Sequence, residues 1–595
     1  MPRLKAKLKQ QIPTKSTSHN LKIEIEKNIA IPMRDGTRLK GDLYRPAGAS
    51  EYPTLLQRTP YNKELWPITA MTLDPVRAAE AGFAVLIQDV RGRWASEGEV
   101  FFPYRDEEQD AFDSIEWITR QSFSNKQVGC YGLSYMGGTS WLAAASGHEA
   151  LKAISPTTAP NDFWRNHFWR GGALNIGTLA MWALRAIGPA ALMRAKPNLA
   201  EMYPMLVGLF DQLDDFEDIM RSLPLDAFPP AFPGDESIVP FFFEFLRHPV
   251  PDDWTNNLLF NNRHEKVKVP SLTIAGWHDL LLAADLEHFQ GMKANAGTAE
   301  AKQHSKLIVG PWAHAMFVHV VGDIDFGFRS NGMFLDLKED LTKLQLRWFK
   351  RWLCGEMNGI EDEAPVKLFV QGLNRWRDED EWPLKRQVKT KFYLHKQHGL
   401  SNSVPSGVSE PDNYIYDPND PCPTCGGNTL LPPQYAPGPI DQSPILQRRD
   451  VLQYTSDILT ADLEVTGQVN AKLFASTSGK DTDWMVKVCD VHADGKTYNV
   501  VDGVIRASFR DGKTLSPVNP NEPLEYDIDL WSTSYVFKAG HRIRVLITSS
   551  DFPRYDRNPN TGEPPQSAST LEPAVQQIYH SPERASYVEL PVIPS

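Results

Sequence analysis

The chain has 595 residues, 41% of them hydrophobic and 23% charged. That is ordinary globular composition at a length too great for one core, so two or three domains are expected. A formal charge of −12 disfavours a nucleic-acid or anionic-membrane partner, and no run of about 18 apolar residues stands out as a membrane span.

Residues 1–21 form a basic, polar tail without the apolar core of a secretion signal, which points to a cytoplasmic protein. From residue 22 to 60 apolar and polar residues alternate (LKIEIEKNIAIPM, RLKGDLYRP, PTLLQRTP), predicting leading strands. GFAVLIQDV (82–90) has the continuous apolar, β-branched character of a buried parallel strand. Helical spacing follows over 105–121, then a strand QVGCYG, then SYMGG. KAISP (152–156), VPSLTIAG (269–276) and SKLIVG (305–310) are further short buried strands with helical stretches between them. This alternation predicts a doubly wound α/β sheet.

Between 160 and 265 the alternation stops, and helical spacing appears in a segment rich in Trp, Phe, Leu and Met. An insertion there, at strand carboxyl ends, predicts a helical cap over the crevice where α/β ligands bind. Beyond residue 360 short alternating runs dominate, VKLFVQG first among them, predicting an all-β jelly roll. The expected organisation is therefore a tail (1–21), an α/β domain (22–159 and 266–360), a cap (160–265) and a jelly roll (361–595). Five cysteines are too few for a disulfide framework. Cys422 and Cys425 lack a second ligand pair for zinc and read as a loop turn in which a local disulfide is one option.

Ser134 stands between a strand and a helix start, flanked by Gly132 and, one residue later than the usual G-x-S-x-G elbow, Gly137. A serine nucleophile needs a base, and the base needs an orienting carboxylate. Asp279 follows the strand ending at Gly276, and His314 follows the strand ending at Gly310, which gives the chain order Ser, Asp, His. His278 competes with His314 but shares a turn with Asp279. Helix capping is the plain alternative for Asp279. Asp89, Arg91 and Arg93 read as a structural ion lattice.

These residues lie in longer stretches: RTPYNK (58–63), QDVRGRWASEG (88–98), GLSYMGG (132–138), GWHD (276–279), GPWAH (310–314), RWFKRWLCGEMNG (347–359), NRWRDEDEWPL (374–384) and GGNTLL (426–431). On them the chain resembles the cocaine esterase and α-amino-acid ester hydrolase family of serine hydrolases, relatives of the X-prolyl dipeptidyl aminopeptidases. The resemblance runs from about residue 22 to near the end. It implies an α/β-hydrolase domain with inserted cap and C-terminal jelly roll, the elbow G-x-S-Y-x-G, and a triad of Ser134, Asp279 and His314. It also implies an oxyanion hole made by the Tyr61 hydroxyl and the Tyr135 backbone N–H. No metal or organic cofactor is called for, and a homodimer is compatible with the family.

The amino-acid ester hydrolases place carboxylates within three residues of the catalytic Asp to hold a substrate ammonium. Here Asp279 is followed by Leu280, Leu281 and Leu282. An ammonium against leucines would be desolvated and unpaired. A neutral apolar or aromatic acyl group is therefore expected, with Phe163, Trp164, Phe168, Trp169 and Leu280 as candidate walls. Asp162 reads as a cap of the segment that follows. The reading is a serine carboxylesterase acting on a small-molecule ester. Its rivals are an amidase of the glutaryl-cephalosporin acylase or X-prolyl dipeptidyl aminopeptidase type, and a non-catalytic binding protein on the same fold.

Overall fold

The computed structural model describes residues 22–165, 167–228, 238–564 and 566–594. The basic tail lies outside the described residues. Ten strands form the first sheet: β1 (Ile23–Pro32), β2 (Arg38–Pro46), β3 (Tyr52–Thr59), β4 (Ala84–Asp89), β5 (Ser124–Leu133), β6 (Leu151–Thr157), β7 (Leu272–His278), β8 (Lys306–Ala313), β9 (Val366–Val370) and β10 (Arg375–Glu379). Their spatial order is β1-β2-β4-β3-β5-β6-β7-β8-β9-β10. The strands from β4 to β9 run parallel, and β1, β2 and β10 add antiparallel edges. β4 and β7 are buried along their whole length, as strands covered on both faces must be.

Two strands expected in the jelly roll belong to this sheet instead. β9, the VKLFV run, pairs in parallel with β8, and β10 returns antiparallel beside it. Alternation alone does not tell which sheet a short strand joins. Here Leu307, Ile308 and Val309 offer the open edge on which Val366, Lys367 and Leu368 pair.

The cap leaves the sheet after β6 and returns at β7, which are neighbours, so the insertion costs the sheet no continuity. It is helical, as expected. Its longest run is Ile176–Ala195, where an α-helical start (Ile176–Ala180) passes through a π-helical segment (Met181–Ile187) into Gly188–Ala195. Pro189 has no N–H to return to the preceding turn, which accounts for the widened ladder just before it. Contrary to the sequence reading, this 20-residue run is long and apolar enough to cross a membrane by length and composition. Two thirds of it is buried inside the protein, which is the pattern of a core helix.

The C-terminal domain is all-β, with twelve strands hydrogen-bonded in one set and a core around Trp484, Tyr526, Leu530 and Val545. It is clamped to the cap by Arg170. This buried guanidinium pairs with Asp502 at 2.9 Å and lies 4.0 Å from the Trp531 ring. Burial opposes ionisation of Asp502, but Arg554, Arg170 and Lys487 outweigh it and hold the carboxyl well below the usual range. Cys422 and Cys425 are both free, buried thiols, so the local disulfide is absent.

Candidate active site

Four parallel strands, two on each side of β6, deliver the site from their carboxyl ends. Tyr61 lies two residues past β3, Ser134 one past β5, Asp279 one past β7 and His314 one past β8. The elbow explains the late glycine. Ser134 has φ 59° and ψ −121°, a conformation unusual for a residue with a side chain and typical of strain held at functional sites. Helix Tyr135–Ala145 starts immediately behind it. A Cβ on Gly132 would stand 2.4 Å from Met136 Cβ, and one on Gly137 would stand 2.8 Å from Ala159 Cβ. The two glycines let the helix pass close to β5 and to the chain leaving β6. The second is needed at 137 because that is where the helix meets Ala159.

Ser134 Oγ is 2.9 Å from His314 Nε2. His314 Nδ1 lies 3.0 and 3.1 Å from the two carboxylate oxygens of Asp279. With Nδ1–H donated to the carboxylate, Nε2 is left to accept the serine proton. Asp279 also accepts the Leu281 N–H at 2.8 Å, which holds the turn, but it does not cap the helix that starts at Leu282, contrary to the capping alternative. The rival His278 faces away, 2.7 Å from Gln371 Oε1, and burial drives its imidazole down to about 4.

Tyr135 turns its side chain into the core, where its hydroxyl donates to Glu107 at 2.9 Å and its ring stacks on Tyr104 at 4.0 Å. Its backbone N–H, in the first helical turn, has no intrahelical acceptor and is free for an oxyanion. Trp182 donates its indole N–H to the Tyr61 hydroxyl at 2.9 Å, which leaves the phenolic proton to be given elsewhere. Burial raises the Tyr61 hydroxyl above its ordinary value, against smaller opposing effects from Trp182 and Ser134, so it stays protonated. The loop carrying Tyr61 is fixed by Arg93, which donates to Pro60 O at 2.9 Å and to Ile187 O of the cap at 3.0 Å. Asp89 accepts from the Lys63 N–H, and Arg91 pairs with Asp110 and Asp35. All three residues act on loop structure, but not as the expected ion lattice: only Arg91 is ion-paired, while Asp89 and Arg93 hold backbone groups.

Phe163, Phe168 and Leu280 line the cleft in front of Ser134. Trp164 and Trp169 do not line it. Trp164 bonds the His248 carbonyl and packs on Phe245 and Trp254, and Trp169 is buried. The chain folds back between them, with Phe168 N–H and Trp169 N–H both bonded to Phe163 O, so neighbours in sequence face opposite ways. Asp162 caps the turn after it through the Trp164 and Arg165 N–H groups. Sequence reading missed His167, Thr178, Trp182, Leu281 and Leu430, which also face the cleft. Trp182 carried no signal beyond its place in an apolar helix.

The C-terminal domain reaches the site through GGNTLL. Asn428 donates its amide to Trp277 O at 3.0 Å and Asp279 O at 2.8 Å. Asn428→Ala would remove both contacts, leaving Asp279 O with the Leu282 N–H. A loss of about 2 kcal/mol in urea-unfolding stability is expected, with a lower kcat as Asp279 loosens.

Residues 35–316 match the profile of the X-Pro dipeptidyl-peptidase (S15) family, and residues 358–589 match that of its C-terminal non-catalytic domain. Over 591 residues the chain is 37% identical to the cocaine esterase of Rhodococcus sp. (strain MB1 Bresler), covering 96% of this chain and 98% of that one. An aminopeptidase structure from a marine sediment Thaumarchaeota archaeon superposes with a TM-score of 0.80 at 25% identity, covering 98% and 99% of the two chains. An α-amino acid ester hydrolase structure gives 0.77 at 24% identity, covering 98% of each.

Proposed function

The chain belongs to the cocaine esterase family of serine ester hydrolases, and we propose that it cleaves esters of small, neutral, apolar or aromatic substrates through an acyl-enzyme on Ser134. The observation that carries this is the unbroken relay Asp279–His314–Ser134, with contacts of 3.0 and 2.9 Å. His314 Nε2 takes the Oγ proton as Oγ attacks the ester carbonyl. The imidazolium so formed is stabilised and held in its tautomer by Asp279. Tyr61 O–H and Tyr135 N–H donate to the oxyanion. His314 returns the proton to the leaving alcohol, then deprotonates the water that releases the acid.

A peptidase reading is suggested by the family description and by the archaeal aminopeptidase. Cleaving after an amino-terminal dipeptide requires holding an ammonium group. Among the described residues no carboxylate lines the cleft, and Leu280 and Leu281 stand beside Asp279. A desolvated, unpaired ammonium costs several kcal/mol, so the ester reading is favoured. Parallel rates on p-nitrophenyl esters, acyl anilides and X-Pro anilides test it. Fastest turnover is expected on the esters, and turnover of the X-Pro anilide alone would refute the assignment.

A further inference from the structure

Apart from the groups already assigned, the polar side chains lining the cleft are Tyr104, His167 and Thr178. Thr178 is 1% exposed, and its hydroxyl has no hydrogen-bond partner among the described residues. A helical threonine commonly returns its hydroxyl to the carbonyl one turn back, and this one does not. His167 Nδ1 is likewise buried without a partner. The imidazole lies flat on Phe168, 3.9 Å between centroids, and 5.5 Å from Phe163. Asn175 ties the two together. It precedes the helix carrying Thr178, and its amide donates to His167 O at 3.4 Å, leaving its own Oδ1 unpaired.

A polar group buried without a partner destabilises the fold, so two on the wall of one cleft ask for a partner from outside the protein. Burial drives the His167 imidazole down to about 3, with a smaller push from His314, so the ring is neutral. A neutral imidazole and a hydroxyl on the wall of one cleft, with no carboxylate lining it, do not hold an ammonium. Nor do they need an anion. A hydroxyl both donates and accepts, and so can satisfy both side chains at once. The surrounding Phe163, Phe168 and Trp182 rings suit an aromatic carrier.

We propose that His167 and Thr178 form a hydrogen-bonding subsite for a ring hydroxyl, making hydroxylated aromatic esters the preferred substrate class. This rests on the esterase reading. The test compares kcat/KM for methyl benzoate with its 2-, 3- and 4-hydroxy derivatives, and for phenyl acetate with its hydroxyphenyl counterparts. Each is measured on the wild type, His167→Phe and the near-isosteric Thr178→Val. A ratio of hydroxylated to parent ester, taken within one preparation, cancels the amount of folded enzyme. Comparing that ratio between variants cancels intrinsic reactivity. In at least one series the ratio is expected to fall about tenfold or more in both variants. The series that responds identifies the acyl or the alcohol half as the group bound. Ratios equal to wild type in every series, with ester turnover intact, would overturn the subsite alone. No turnover of any ester by the wild type would overturn the esterase reading and the subsite with it.

Discussion

Replacing Ser134 with alanine is expected to lower kcat on a p-nitrophenyl ester by about 10⁶-fold, to the level set by binding and the oxyanion donors alone. The size of the effect follows from the covalent role. Without Oγ there is no acyl-enzyme, and His314 and Asp279 have nothing to activate. The residual rate should still exceed that of water, since Tyr61 and the Tyr135 amide remain. Replacing His314 as well should add little, because the three side chains work as one unit. The substitution removes one oxygen from a residue whose backbone is already strained, so the fold should persist. Circular dichroism of the purified variant checks that, and steady-state kinetics checks the rate. A variant within tenfold of wild type would remove Ser134 from the mechanism.

Tyr61→Phe should cost about 10²–10³ in kcat, the range for losing one preorganised oxyanion donor. Two features put the effect at the transition state. The Trp182 N–H occupies a lone pair on the Tyr61 oxygen at 2.9 Å, so the phenolic proton is directed elsewhere. The loop behind is pinned by Arg93 through Pro60 O, so reorienting that proton during reaction costs little. Losing an interaction made only as the carbonyl becomes tetrahedral lowers kcat and kcat/KM together and leaves KM near its original value. A rise in KM with kcat unchanged would assign Tyr61 to substrate binding instead.

Much of this arrangement is legible in the residues. The mostly apolar runs 84–89 and 272–278 read as strands buried on both faces, with Gln88, Asp89, Thr273 and His278 as buried polar members, and their ends mark where side chains such as Asp279 emerge. Gly132 and Gly137 mark the elbow, although the reason for the second glycine is Ala159, which only the folded chain brings near. The strand Val366–Val370 was unreadable as part of the first sheet. Its alternation fits either domain, and membership depends on the open edge of Lys306–Ala313. The cleft was the least legible part. Phe163 and Phe168 face it while Trp164 and Trp169 do not, because the backbone turns on Phe163 O between them. Trp182, Thr178 and Leu430 come from distant positions and meet only when cap and C-terminal domain close over the sheet. Asn428 is of the same kind: no local pattern marks an amide whose two acceptors lie about 150 residues away.

The central claim is that Ser134 is the nucleophile. Its most direct test is a fluorophosphonate probe followed by mass spectrometry of the digested protein. One adduct per chain is predicted, on the peptide carrying Ser134, and none on Ser134→Ala. An unmodified wild type, or an adduct on another residue, would contradict the account.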